Sequence, residues 1–228
     1  MDREDPDVIC TQEVPKGFLT HLENRGYQTA YAPMGIYDED GMNKEIVMGV
    51  MLASKFPSTS KINYYHRGSP EIVKYENDRK EETESYPYII TNIETPSGIY
   101  NIATTHLMDT KDGHEDVFQI RGMTRLLELL AKEEPHMICG DFNMPRGYNS
   151  LYEKVTKYYK DNIPAKYKSS LDKNLHRAGN KEIKQPIFDE YMVDYIFTQT
   201  PYEARDVRLE FGVSDHAAVV ANILKVTD

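Results

Sequence analysis

The chain reads as one mixed α/β domain. Three observations point there. Apolar runs short enough to be strands recur along most of the length, amphipathic helical stretches between them are few, and no linker, repeat or low-complexity segment interrupts the 228 residues. A hydrophobic content of 39% with Pro and Gly scattered is globular rather than disordered. No apolar run reaches the roughly 18 residues of a membrane helix, so no membrane span is expected. The start, Met1-Asp2-Arg3-Glu4-Asp5-Pro6-Asp7, is acidic and lacks the apolar centre of a signal peptide. Cys10 and Cys139 sit inside strand-like runs and read as small core residues in a reducing compartment. The expectation is a cytoplasmic monomer.

Taken in order, Asp7 to Val14 is an apolar run ending in a polar pair, a central strand that delivers Glu13 at its tip. Pro15 stops it, and Lys16 to Arg25 predicts a short helix closed by Gly26. Tyr27 to Pro33 and Ile46 to Ser54 read as strands, with Asp38-Glu39-Asp40-Gly41 between them as an exposed acidic loop. Lys61 to His66 and Tyr86 to Thr95 read as strands joined by a charged, solvated hairpin tip around Glu76 to Glu84. Gly98 to Leu107 is another strand, with His106 near its end. His114 to Glu134 carries Val117, Ile120, Met123, Leu127 and Leu130 as the stripe of an amphipathic helix.

Met137-Ile138-Cys139 then opens a buried strand that ends abruptly in Gly140-Asp141-Phe142-Asn143. On an extended backbone residues i and i+2 share a face, so Asp141 and Asn143 are expected to project together. A carboxylate beside a carboxamide is costly to bury unpaired and well suited to a hard cation and a phosphate oxygen. The same pattern also fits an Asx-turn after a strand. Leu151, Val155, Tyr158 and Tyr159 predict a helix whose tyrosines face the core. Asn162 to Pro186 reads as a long loop, a length that is often functional. Val193 to Phe197, Val207 to Phe211 and Ala217 to Val226 close the chain as strands, the last entered from Ser214-Asp215-His216.

The formal charge of −10 argues against non-specific nucleic-acid binding over the whole surface. The charge is uneven, however. Residues 154–184 hold nine Lys and Arg against three acids, a local +6 that leaves −16 for the remainder. This basic segment lies directly downstream of Asp141, where a polyanionic substrate could be received.

Five strands thus end in polar residues: Glu13; His106; Asp141 with Asn143; Asp194; and Asp215 with His216. If those ends converge, the inventory suits Mg²⁺ or Mn²⁺ held by oxygen, with imidazoles for proton traffic. Zinc is disfavoured, because the cysteines lie inside strands and no His-x-x-x-His helix is present. Arg146 could clamp phosphate or be an ordinary surface arginine. Asn174, His176 and Arg177, in the basic loop, are candidates for substrate selection.

The ordered set TQEV, THL, GDFN, VDYIF and SDHAAV, spanning residues 7 to 226, resembles the endonuclease/exonuclease/phosphatase family. The resemblance implies the deoxyribonuclease I fold, an α/β four-layer α/β/β/α sandwich of two mixed β-sheets flanked by helices. It implies that Glu13 is the principal metal ligand, and that Asp141 orients the attacking water or contacts the metal. Asn143 would hold the scissile phosphate, and Asp215 would be a further metal-site carboxylate. His216 would contact phosphate and transfer protons while Asp194 fixes its tautomer, and His106 would be a second imidazole at the phosphate. Glu45 is a loose match to an acid that partners the His106-type imidazole. Family members usually open with a strand ending in Asn. Few residues precede Asp7 here, so the expected fold lacks that first strand. The expected activity is Mg²⁺-dependent phosphodiester hydrolysis on DNA or RNA. The alternatives are hydrolysis of phospholipid, inositol or sugar-phosphate headgroups, and a weakly active phosphate-binding protein.

Overall fold

The computed structural model describes residues 4–38, 44–67, 72–110, 112–176 and 190–226. The chain divides into two compact units, residues 1–106 with 124–134, and residues 107–123 with 135–228.

In the first unit, β1 (Val8–Pro15), α1 (Phe18–Glu23), β2 (Gln28–Asp38) and β3 (Glu45–Ser54) come first. They are followed by β4 (Ser58–His66), a 3-10 turn at Asn77–Arg79, α2 (Lys80–Thr83), β5 (Tyr86–Thr95) and β6 (Gly98–His106). One antiparallel sheet runs β1-β3-β2, and β4, β5 and β6 pair as an antiparallel meander. From Gly49 to Ser54 in β3, and from Tyr86 to Thr91 in β5, every residue is buried. Continuous burial means that both faces of each strand are covered. Met51 and Ala53 face Leu22 of α1 together with Ile9 and Val14 of β1. The other face of the β1-β3-β2 sheet packs on β5 and β6.

The helix α3 (Val117–Leu130) begins in the second unit and ends in the first, where Tyr88 and Lys61 both reach Glu133 just beyond it. Its buried face is Gln119, Gly122, Met123, Leu126 and Leu130, whereas Val117 and Ile120 are exposed. The stripe read from the sequence is therefore rotated. A glutamine holds a core position because its amide has internal partners, and the first apolar residues sit where the helix begins.

The second unit contains β7 (Met137–Asp141), α4 (Ser150–Val155), β8 (Lys160–Asp161), β9 (Asp194–Thr198), β10 (Tyr202–Glu210) and β11 (Ala218–Lys225). The strands β7, β9 and β8 pair antiparallel in that order, and β10 with β11 forms a hairpin. Phe142, Tyr195, Phe197, Tyr152 and Tyr159 interlock as an aromatic core at stacked, tilted and edge-on angles. Tyr159 is buried and its hydroxyl meets His136 at 2.8 Å, but Tyr158 is 63% exposed. The helix α4 ends at Val155, so the helical spacing that placed Tyr158 in the core no longer applies.

The expected α/β class of two sheets with flanking helices holds. Two local expectations do not. The Glu76 to Glu84 stretch is not a bare hairpin tip, since it folds into the 3-10 turn and α2 and ends on Glu84, which is 7% exposed. Cys10 and Cys139 are half-buried rather than core residues, and neither forms a disulfide. Of the acidic loop, residues 39–41 lie outside the described residues. Among the described residues no helix is long and apolar enough to cross a membrane.

Candidate active site

Two groups of polar side chains stand at strand ends, one in each unit. In the first unit the register of β1 against β3 slips between Thr11 and Val14, a bulge that takes up Gln12 and Glu13. Bulges re-aim side chains. Here Glu13 adopts φ 49° and its side chain is 71% exposed, at the edge of a strand whose neighbour Val14 is buried. Its Oε1 lies 3.9 Å from His106 Nε2, too long for a hydrogen bond. His106 is anchored through its backbone, because Tyr65 donates to its carbonyl at 2.6 Å and Thr105 donates to Tyr65 in turn.

Glu84, missed by sequence reasoning, is a buried carboxylate that accepts hydrogen bonds from the hydroxyls of Tyr37 and Tyr86. Burial, then Glu84 and Glu13, hold the Tyr37 hydroxyl protonated far above its ordinary range. Glu45, by contrast, is exposed and lies 3.5 Å from Lys74. The carboxylate recorded near His106 is that of Glu13, at 3.9 Å.

In the second unit the β7–β9 register sets Asp141 directly opposite Asp194. Two like charges opposed across a ladder destabilise it unless a cation intervenes. His216 supplies one, with Nδ1 2.8 Å from Asp194 Oδ2. Burial alone would lower its pKa. The hydrogen bond and charge of Asp194, then Asp141 and Asp215, outweigh that and push it up to about 10. Asp141, Asp194 and His216 offer ligand atoms all within 4.8 Å of one another, as do His176, Asp215 and His216.

The backbone around this cluster is held by buried side chains. Asp141 Oδ1 accepts the Asn143 N–H at 2.8 Å, so the Asx-turn reading is physically present. Asn143 adopts φ 47°, and its side-chain amide donates to the Leu107 carbonyl at 2.8 Å. The backbone is not extended from 141 to 143, and the alternation that placed the two side chains on one face does not govern them. The turn instead rests on Gln119, fully buried, whose amide donates to the carbonyls of Met108 and Asn143 at 2.7 and 2.9 Å. Gln119 accepts from Asn149 at 2.9 Å, and Asn149 also caps α4 by accepting from Leu151. Ser170, fully buried, accepts the N–H groups of Val193 and Asp194, and its carbonyl accepts the N–H of Ala217 at 2.7 Å. It therefore joins the β9 and β11 entries. None of these residues has a sequence signal beyond a polar residue in an apolar run, and Gln119 on its helical face is the one such signal that could have been read.

Arg146 is neither a free phosphate clamp nor a surface arginine. Its guanidinium donates to Asp161 and to the carbonyls of Ile163 and Tyr167 at 2.7 to 3.0 Å, which ties down the long loop. Asn174 is exposed, with its N–H on Asp172. His176 is brought beside His216, with ring centroids 6.3 Å apart. Arg177 lies outside the described residues.

A family model for the endonuclease/exonuclease/phosphatase family matches residues 1–216. The chain belongs to that family. Members of the endonuclease/exonuclease/phosphatase family are hydrolases of phosphoester bonds and generally depend on divalent metals. Among the solved structures it resembles is the endonuclease/exonuclease/phosphatase of Beutenbergia cavernae (TM-score 0.67, 16% identity), covering 98% of this chain and 64% of that one. The human nocturnin catalytic domain with bound sulfate anion is also similar (TM-score 0.61, 20% identity, 97% and 81% covered). So is D. rerio TDP2 complexed with single strand DNA product (TM-score 0.63, 16% identity, 98% and 88% covered). This chain thus spans less than two thirds of the Beutenbergia chain. No curated protein matches it in sequence.

Proposed function

We propose that this chain is a divalent-metal-dependent phosphodiester hydrolase of nuclease type, acting on DNA or RNA. The observation that carries the reading is the Asp141–Asp194–His216 cluster, a buried carboxylate set opposite a second one that holds an imidazolium at 2.8 Å.

The donor set fits a hard divalent ion through its oxygens, since carboxylate oxygens of Asp141 and Asp194 stand within 4.8 Å of each other. Within this unit Asp141 would hold it, and Asp215 is a further candidate by its motif. Mg²⁺ or Mn²⁺ would supply positive charge to the phosphate and acidify a water molecule. The chain's own residues do the rest. His216, charged and oriented through Nδ1 by Asp194, offers Nε2–H to a phosphate oxygen as negative charge develops there. Asp141 would accept a proton from the attacking water. Asn143, locked in its turn, contributes a short polar side chain at a fixed position beside Asp141. His106, paired with Glu13, is a second imidazole for phosphate contact.

A polyanionic substrate is favoured by the +6 segment and by likeness in fold to a protein solved with a single strand DNA product. The test is cleavage of single- and double-stranded oligonucleotides with Mg²⁺ present and then chelated. Metal-dependent cleavage is expected, and none at high enzyme concentration would overturn the reading.

A further inference from the structure

The notable feature of the second cluster is its nitrogen content. His176, Asp215 and His216 each offer a ligand atom, and the three atoms lie within 4.8 Å of one another. His176 lies in the long loop after β8 and carries no motif. Two backbone hydrogen bonds and a buried carboxylate bring it there. Asp172, 4% exposed, donates its N–H to the Asp215 carbonyl at 2.8 Å, and its own carbonyl accepts the His176 N–H at 2.8 Å. Its carboxylate accepts the N–H groups of Asn174 and Gly212, both at 2.8 Å. One side chain thus clamps the loop bearing His176 to the loop bearing Asp215 and His216.

The ligand atoms are also oriented. His216 uses Nδ1 on Asp194, which leaves Nε2 as the atom it offers. A carboxylate behind a ligating imidazole is the arrangement that fixes its tautomer and ring angle in metal sites. Asp215 is exposed and His176 half-buried, so solvent and an ion can reach them. In tetrahedral coordination with bonds of about 2.1 Å, ligand atoms stand about 3.4 Å apart.

We propose that His176, Asp215 and His216 form a site for a borderline first-row divalent ion of the zinc type, distinct in preference from the Mg²⁺ or Mn²⁺ of the hydrolase reading. Two imidazoles and one carboxylate suit Zn²⁺, Co²⁺ or Ni²⁺, whereas Mg²⁺ takes oxygen ligands. Cysteine placement and helical His spacing, which disfavour zinc in the sequence, do not register a histidine brought in by a loop. The assignment rests on the same cluster as the proposed active site and shares Asp215 and His216 with it. An ion at Nε2 displaces the proton that His216 would offer phosphate, so ion and substrate compete for this atom. Because ion binding is read without substrate, each reading can fail alone.

The experiment is zinc titration of the whole chain by calorimetry, with Co²⁺ visible absorption as a second reading. Wild-type protein is expected to bind Zn²⁺ at least about 10³-fold more tightly than Mg²⁺ at this site, in line with the preference of imidazole donors. His176→Ala should weaken zinc at least about 10-fold, and His176→Cys should restore it and add a sulfur-to-cobalt charge-transfer band. Absence of zinc binding, unchanged affinity in His176→Ala, or zinc binding in His176→Cys without the sulfur band would each overturn the site. If His176→Ala does not fold, the His176→Cys spectrum decides alone. Zinc binding that depends on His176 in a protein that cleaves no oligonucleotide would leave this site standing and remove the hydrolase reading. Cleavage with no role for His176 in zinc binding would do the reverse.

Discussion

Glu13 and Asn143 are both non-glycine residues in the left-handed region, φ 49° and 47°, and both carry functional motifs, yet they are held in opposite ways. Glu13 rides a bulge in β1, its side chain mostly in solvent, with His106 Nε2 3.9 Å away. Asn143 is fastened by Asp141 at its N–H, by Leu107 at its side-chain amide and by Gln119 at its carbonyl. Left-handed backbone at such residues is strain that surrounding structure must sustain. At Glu13 a strand register sustains it and leaves the carboxylate adaptable, as suits a ligand that closes on an ion. At Asn143 a buried polar network sustains it and leaves little freedom, as suits a group that must sit at one place beside a phosphate.

Breaking the tightly held turn should have the largest effect. Asp141→Ala removes both the carboxylate at the reacting centre and the acceptor of the Asn143 N–H. A kcat loss of at least roughly 10²-fold is expected in the oligonucleotide assay, because acid–base and electrostatic contributions are of that order. Retained turnover would remove Asp141 from the chemistry. Asp194→Asn leaves the geometry of β9 intact but takes away the charge that orients His216, and a kcat loss of at least roughly 10-fold is expected with KM little changed. An unchanged kcat would remove Asp194 from the orientation of His216, and an unchanged melting temperature would show that any loss is not one of folded protein.

Gln119→Leu tests whether the network sustains the turn. It strips the donors from the Met108 and Asn143 carbonyls, and a loss of about 1–3 kcal/mol is expected from the urea midpoint. A neutral result would mean that the turn stands without it. The two left-handed residues should then part under glycine. Glu13→Gly relieves backbone strain without losing a hydrogen bond recorded for its side chain, so stability should hold or rise by about 1 kcal/mol. Asn143→Gly relieves similar strain but loses the Leu107 contact, and its melting temperature should fall below that of Glu13→Gly. The same order reversed would sink the comparison.

The smallest effect concerns Asp172, whose carboxyl is held below its ordinary range by the Asn174 and Gly212 N–H groups. A depressed folded-state pKa stabilises the fold above the unfolded value and loses that contribution as pH falls. Asp172→Asn should therefore melt lower than wild type at pH 7, with the gap closing below about pH 4. A gap that persists in acid would locate the effect elsewhere.

Much of this site was legible in the chain itself. Glu13, His106 and Asp141 close apolar runs while Asp194 and His216 stand at the entry to them, and a polar residue at either end of a buried strand is a local pattern that needs no partner to be recognised. Their order along the chain supported the family resemblance. What could not be read were the partners: Asp194 opposite Asp141, Glu84 beneath two tyrosines, Ser170 between β9 and β11, and Arg146 spent on the loop rather than on phosphate. The helix that carries Gln119 was legible, but its rotation was not, because the face a helix buries is chosen by what it packs on.

The amino-acid order by itself determined which chemistry the strand ends can offer and in what sequence they appear, since alternation and turn residues act within a few positions. Only the tertiary structure decided which of those groups meet, that the backbone at Glu13 and Asn143 turns left-handed, and that a motif-free His176 joins Asp215 and His216. Those outcomes depend on strand register and loop closure across tens of residues, where the free energy belongs to contacts that no local pattern encodes.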